Sequence, residues 1–207
     1  MVESLDNKSF VTAVQHLSEE DPILAGVVKE YGTPILLDRP ADFSTLVYTI
    51  QEQQVSLASA RATYTKLNAR LPDLTPSALL SLTDEELHNI GFSRQKARYS
   101  RILARTIIDG TLDLTDLGTK TDDEVFSTLT SLTGIGPWTA NIYLLSALKR
   151  PDIWPAGDLA LQVAAQELYE WDERPGRDEF RSFGDRWKPY RAVAARILWQ
   201  YYLSRSS

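Results

Sequence analysis

The chain has 207 residues, 43% hydrophobic and 24% charged, with a formal net charge of −6, the profile of an ordinary globular protein of one large domain or two small lobes. The absence of cysteine excludes a disulfide framework, a thiolate zinc site and a cysteine-ligated iron–sulfur cluster. No apolar run approaches a membrane span, and Met1 to Asp6 do not read as a signal peptide, so a non-membrane protein of the cytoplasm is expected, nucleoid-associated in a prokaryote or nuclear in a eukaryote.

Helical periodicity runs through nearly every segment, with no convincing strand pair. Asp42 or Ser44 starts a helix through FSTLVYTIQEQQ, and Ser56 caps a second through ASARATYTKLNARL. Thr75-Pro76 reads as an N-cap with proline at the first helical position. Thr83 and Glu86 have capping-box spacing, in which each side chain satisfies the other's free amide. Ser93 opens a basic helix that stops at Gly110, and Thr121 opens another ending near Leu132. A helix from Pro137 to Leu148, one from Asp158 to about Tyr169, and two more follow, with Pro189 expected in the first turn of the last. About ten helices with no long linker, repeat or low-complexity tract make an all-α fold.

A net charge of −6 argues against a nucleic-acid partner, but its distribution argues less firmly. Residues 91–105, GFSRQKARYSRILAR, carry Arg94, Lys96, Arg98, Arg101 and Arg105 and no acid, while acids gather at 84–86 and 109–124. A solvated helix face explains each run by itself. The histidines His16 and His88 lack metal-ligand spacing and read as surface or boundary residues.

Two places carry chemistry. In Leu132-Thr-Gly-Ile-Gly-Pro-Trp138 the glycines permit positive φ and close backbone approach, and the proline replaces an amide that has no helical partner. The remaining amides of such a turn point outward at a helix N-terminus, which suits a phosphate and needs no basic side chain. The bland reading is a tight connection between packed helices. Twenty-two residues after the second glycine, Asp158 stands alone behind a loop with Trp154, Pro155 and Gly157. It is either a plain N-cap or a partly desolvated carboxylate with work to do.

The stretch LTGIGPWTAN resembles the hairpin of the helix-hairpin-helix DNA glycosylase superfamily, L-P-G-I/V-G-x-x-T-A, departing at Thr133, where proline is commoner. The resemblance covers roughly residues 40 to 203. It implies a two-lobed helical glycosylase fold with a cleft between the lobes. One lobe would span about 40–120 with the wedge and basic loop; the other, 1–39 plus 121–207, would carry the hairpin, the catalytic aspartate and the C-terminal helices. It also implies DNA phosphate contacts at Gly134, Ile135, Gly136 and Thr139, and places the catalytic carboxylate at Asp158. Cleaving a base from deoxyribose builds positive charge on the sugar, which a carboxylate stabilises.

Members that also cut the strand carry a lysine two residues after the second glycine, where this chain has Trp138; without an amine no Schiff base forms there. With no cysteine for a cluster, what remains resembles the 3-methyladenine DNA glycosylase II branch. Ile50-Gln-Glu-Gln-Gln-Val-Ser56 is similar to the branch's I-x-x-Q-x-V-S segment, which implies DNA contacts at Gln53 and Gln54, with Gln54 filling the gap left by the extruded base. Gly91-Phe-Ser-Arg-Gln-Lys-Ala97 is similar to a second backbone-binding loop, with Gly91, Ser93 and Lys96 as contacts. Arg186-Trp-Lys-Pro-Tyr-Arg191 is similar to the R-W-K-P-W-R element and leads to Trp199. Trp138, Trp199 and Tyr143 would line the base pocket, since indole faces attract the positive charge of 3-methyladenine and 7-methylguanine. Tyr201 and Tyr202 read as core. The β-rich N-terminal lobe of longer members has no room here, and Ile142 stands where some carry a pocket tyrosine.

The resemblance thus implies a monomeric, monofunctional glycosylase acting on alkylated double-stranded DNA, with no metal site and no required cofactor, a monovalent cation at the hairpin being the one ligand considered. The rival reading is a non-catalytic helix-hairpin-helix DNA-binding module, for which Asp158 and Gln54 have no use. A helical scaffold unrelated to DNA comes third.

Overall fold

The computed structural model describes residues 4–205, and among them every regular element is helical, as the periodicity predicts. In chain order these are α1 (Asn7–Glu20), α2 (Pro22–Tyr31), α3 (Phe43–Glu52), α4 (Leu57–Arg70), α5 (Pro76–Ser81), α6 (Asp84–Ile90) and α7 (Arg94–Ile108). Then come α8 (Asp122–Thr130), α9 (Pro137–Ser146), α10 (Leu159–Leu168), α11 (Arg177–Phe183) and α12 (Arg191–Ser204). Short 3₁₀ turns occupy Asp116–Thr119 and Gly184–Trp187. The expected lobe termini at 1–3 and 206–207 lie outside the described residues.

Most helix starts follow from side chains that satisfy the first free amides. Asp42, Ser56, Thr75, Ser93 and Asp158 each accept from an amide three residues on. Thr83 with Glu86 and Thr121 with Glu124 form reciprocal boxes. Three boundaries differ from the expected ones. Helix α3 stops at Glu52 because Gln53 turns extended at ψ 124°, and Gln54 then takes a left-handed φ of 55°. Helix α9 stops at Ser146, short of Leu148, and Lys149 turns left-handed at φ 55° while Arg150 N donates back to Leu144 O. Pro189 lies before the last helix rather than in its first turn; Tyr190 is the N-cap and its amide donates to Trp187 O at 2.7 Å.

The chain forms two compact units, one of residues 39–143 and one of 4–38 with 144–205. Residues 121–143, grouped above with Asp158, fall in the first unit. That unit is built on α3, whose Leu46, Val47 and Ile50 are wholly buried, and on α7, which buries Ala97, Ser100, Leu103 and Ala104 against α3 and α5. Each fully buried leucine or isoleucine contributes about 1.5–3 kcal/mol. The second unit is centred on α12, whose residues 192–195, Ile197 and Leu198 are buried against α10, α2 and α1. Tyr201 and Tyr202, further along α12, are half-buried rather than core.

An aromatic cluster of Trp154, Tyr169, Phe180, Phe183 and Trp187 fills one end of this second unit. Buried Asp21 ties it together: Oδ1 caps α2, while Oδ2 accepts from Tyr169 Oη at 2.6 Å and Trp187 Nε1 at 2.9 Å. The cost of burying this carboxylate is offset by donors on both oxygens. No described helix is long and apolar enough to cross a membrane.

Candidate functional site

In the first unit, three backbone turns that the sequence marks for DNA are wired to one another. The loop between α3 and α4 begins at the half-buried Gln53, the C-cap of α3, and continues through the exposed Gln54, Val55 and Ser56. A left-handed backbone at Gln54 costs on the order of 1 kcal/mol or more and persists only where neighbours fix it. They do. Gln53 Nε2 donates to Gly134 O and to Thr139 Oγ1, both at 2.9 Å. Lys96 Nζ donates to Gln51 O at 2.7 Å, in the last turn of α3, and burial pushes the Lys96 ammonium below its ordinary pKa. Beneath the loop, Arg39 grips Glu52 through two bonds of 2.7 and 2.8 Å and lies 4.6 Å over the Tyr48 ring.

The second turn ends α6 at Gly91, with φ 117° and Thr63 Oγ1 2.9 Å from where a Cβ would stand. Ser93 caps α7 by accepting from Lys96 N. Arg94, Arg98 and Arg105 are exposed along α7, whereas Arg101 is held by Leu82 O and Asp84. The basic run thus reduces to a three-arginine stripe.

The hairpin's two glycines do different jobs. Gly134 has φ 99°, and a Cβ there would meet Tyr99 Cγ at 2.2 Å, so the turn is pressed onto that ring. Gly136 is exposed, and a Cβ on it would meet nothing within 4 Å. It stands at the N-terminus of α9, where amides point out of the helix. Ile135 is an anchor: the residue is 4% exposed and its amide donates to Leu132 O at 3.1 Å. Thr139, 1% exposed, faces Gln53 rather than solvent. Of the expected hairpin contacts, Gly136 is exposed, Gly134 half-buried, and Ile135 and Thr139 buried.

Trp138 is half-buried, one turn before the buried Ile142 on α9. Tyr143 is completely buried, its hydroxyl has no hydrogen-bond partner among the described residues, and burial pushes its pKa up. It offers no face to solvent beside Trp138.

In the second unit, the loop before α10 is pinned at both ends. Trp154 Nε1 donates to Phe180 O at 2.9 Å, and its indole fills the space that a Cβ on Gly184 would need. Arg191 grips Asp152 through bonds of 2.8 and 2.9 Å, and Ala192 N donates to Pro151 O. The R-W-K-P-Y-R element is therefore a brace for this loop. Asp158 N donates to Pro155 O, and Gln162 Nε2 reaches back to Ala156 O.

Asp158 itself is 9% exposed. Its Oδ1 accepts from Leu161 N at 3.0 Å and from Trp199 Nε1 at 3.1 Å. The carboxylate is at once the N-cap of α10 and the acceptor of an indole on α12, so the two readings left open above are compatible. Sequence reasoning places Trp199 only as a wall of the base pocket. It misses the hydrogen bond to Asp158, the Gln53 bridge and the Tyr99 seat under Gly134.

Among the described residues no group of three His, Cys, Asp or Glu could hold a metal ion. At the hairpin a monovalent cation would meet neutral carbonyls. Leu132 O and Gly134 O each already accept one hydrogen bond and keep a second lone pair, a set whose chemistry fits a singly charged ion.

The chain is similar to several known proteins. The family described as HhH-GPD superfamily base excision DNA repair protein matches residues 47–189. A Bacillus subtilis protein provisionally named a DNA-3-methyladenine glycosylase is 28% identical over 186 residues, which are 86% of this chain and 64% of that protein; the chain thus spans under two thirds of that relative. A DNA-3-methyladenine glycosidase structure from Bacillus halodurans is 31% identical, covering 95% of this chain and 90% of that one, with a TM-score of 0.76. The fold is also that of a Schizosaccharomyces pombe 3-methyladenine DNA glycosylase solved with abasic DNA, at 24% identity, 91% and 95% coverage and a TM-score of 0.85.

Proposed function

Because the chain belongs to the HhH-GPD superfamily of base excision DNA repair proteins, we propose that it is a monofunctional DNA glycosylase that hydrolyses the N-glycosidic bond of alkylated purines in duplex DNA. The observation that carries this reading is the Asp158 carboxylate, almost buried and held on Oδ1 by Leu161 N and Trp199 Nε1. A DNA-binding module has no need of such a group. The names of the relatives from Bacillus subtilis and Bacillus halodurans supply the substrate class.

The first unit holds the duplex and opens the stack. The exposed backbone at Gly136, the N-terminus of α9, and the Ser93 turn with Arg94 and Arg98 take phosphates. Gln54 enters the space the extruded nucleotide vacates. A purine alkylated at N3 or N7 already carries positive charge, which the half-buried Trp138 indole attracts.

The second unit supplies the chemistry. As the C1′–N bond breaks, its electron pair neutralises the cationic base and positive charge moves to the sugar. The ionised Asp158 stabilises that charge. At about 4 Å and an effective dielectric of 20 the interaction is about 4 kcal/mol, roughly a thousandfold in rate. Water adds to C1′ and releases a proton, which leaves an abasic site. With Trp138 in place of an amine, no covalent imine forms and the strand stays intact. The protein acts as a monomer and needs no cofactor.

The test is incubation with methylated duplex DNA and chromatography of what is released. Free 3-methyladenine and 7-methylguanine are expected, with strand breaks only after alkali and no adduct trapped by borohydride. Tight DNA binding without released base would instead establish the non-catalytic module, and a trapped adduct would overturn the monofunctional mechanism.

A further inference from the structure

We propose that Gln53 is a positioning residue, not a DNA contact: its side-chain amide joins the Gln54 loop to the hairpin, so that gripping the backbone and filling the stack are one mechanical act. The inference rests on the wedge reading of Gln54.

Both interactions of the amide group point into the unit. Nε2 donates to Gly134 O and Thr139 Oγ1, each at 2.9 Å, and Thr139 is nearly inaccessible. The N–H donors are thus engaged within the unit rather than by DNA. The residues it joins are 81 and 86 positions away in sequence; Gly134 is in the hairpin turn and Thr139 in the first turn of α9, on either side of the exposed Gly136. Gln54 follows immediately, exposed and with a left-handed backbone. On its other side, Lys96 Nζ holds Gln51 O. The loop is thus fixed from the hairpin and from the Ser93 turn, and Gln54 projects from between two anchors. A hairpin seated on phosphates carries the wedge with it.

The bland alternative is that Gln53 merely stabilises the end of α3. Two variants separate the readings. Gln53→Glu keeps the shape but loses both N–H donors and sets a carboxylate oxygen against Gly134 O. Gln53→Met removes the polar group altogether. The substrate is duplex DNA with a tetrahydrofuran abasic analogue beside 2-aminopurine, whose fluorescence reports unstacking and needs no excision. Both variants are expected to bind undamaged duplex within about threefold of wild type while the fluorescence gain falls about tenfold, and neither should lower that gain further in a Gln54→Ala background.

Additive losses with Gln54→Ala, or a loss of affinity for undamaged DNA as large as that of Gly136→Val, would overturn the proposal. If both variants fail to fold, Thr139→Val, which deletes one acceptor, must show the same non-additivity with Gln54→Ala in part, and its absence is equally fatal. A Gln54→Ala protein that unstacks DNA like wild type defeats the wedge reading itself. Absent release of alkylated bases by a protein that still unstacks DNA defeats only the proposed chemistry.

Discussion

Trp199 on α12 donates its indole N–H to Asp158 Oδ1 at 3.1 Å, across 41 residues of sequence. Hydrogen bonds to charged groups are worth about 1.5–3 kcal/mol, and this one holds the rotamer of the carboxylate proposed to face a developing cation. Trp199→Phe keeps an aromatic ring and deletes the donor. Single-turnover excision is expected to fall roughly thirtyfold, the equivalent of about 2 kcal/mol, with abasic-DNA affinity within about threefold. The same loss measured in an Asp158→Asn background would show that the indole acts by another route.

Substitutions at the two hairpin glycines are expected to separate folding from binding. At Gly134 a methyl group would meet Tyr99 Cγ at 2.2 Å with φ at 99°, so Gly134→Ala should destabilise the protein by about 2–4 kcal/mol in urea unfolding. Gly136 has open space around it. Gly136→Val should leave the unfolding midpoint unchanged and weaken binding to all duplex sequences alike. A reversed pattern would exchange the roles given to the two residues.

What could be read from the sequence was local. The caps at Asp42, Ser56, Thr75, Thr83, Ser93 and Thr121 act on amides three residues away, so a short window contains the whole interaction. The hairpin was legible for the same reason. The Gln53–Thr139 and Trp199–Asp158 bonds join residues 86 and 41 apart, and no local pattern names the partner. Gln54 in a left-handed conformation was illegible because glutamine has no preference for it. The general preference of proline puts Pro189 at the first helical position, but the turn closed by Tyr190 N on Trp187 O starts the helix later.

Phosphate binding should appear in the salt dependence of affinity, because each neutralised phosphate releases counterions. Arg94→Gln and Arg98→Gln should each lower the slope of log K against log salt by about 1. Lys96→Met should change it less, since its ammonium is already engaged with Gln51 O at 2.7 Å. An equal effect at Lys96 and Arg94 would show that this ammonium turns outward on DNA.

Acid should loosen the first unit through its capping boxes. The Thr83 amide and Arg70 hold Glu86 below its ordinary value of 4.5, and the Thr121 amide and hydroxyl do the same for Glu124. A depressed carboxylate contributes stability that is complete above its unfolded pKa and is lost as pH falls through the folded one. The melting temperature should therefore hold level from pH 7 to about 5 and decline below. In a Glu86→Gln, Glu124→Gln double variant that decline should be shallower; an unchanged acid profile would show that these boxes do not govern acid stability.

The central claim is that a charged Asp158 drives base release. Asp158→Asn keeps an oxygen to accept from Leu161 N and Trp199 Nε1 and removes the charge. Single-turnover release of 7-methylguanine from methylated duplex is the direct measurement. A fall of roughly a thousandfold is predicted with abasic-DNA affinity retained, and excision by the asparagine variant near the wild-type rate would contradict the claim.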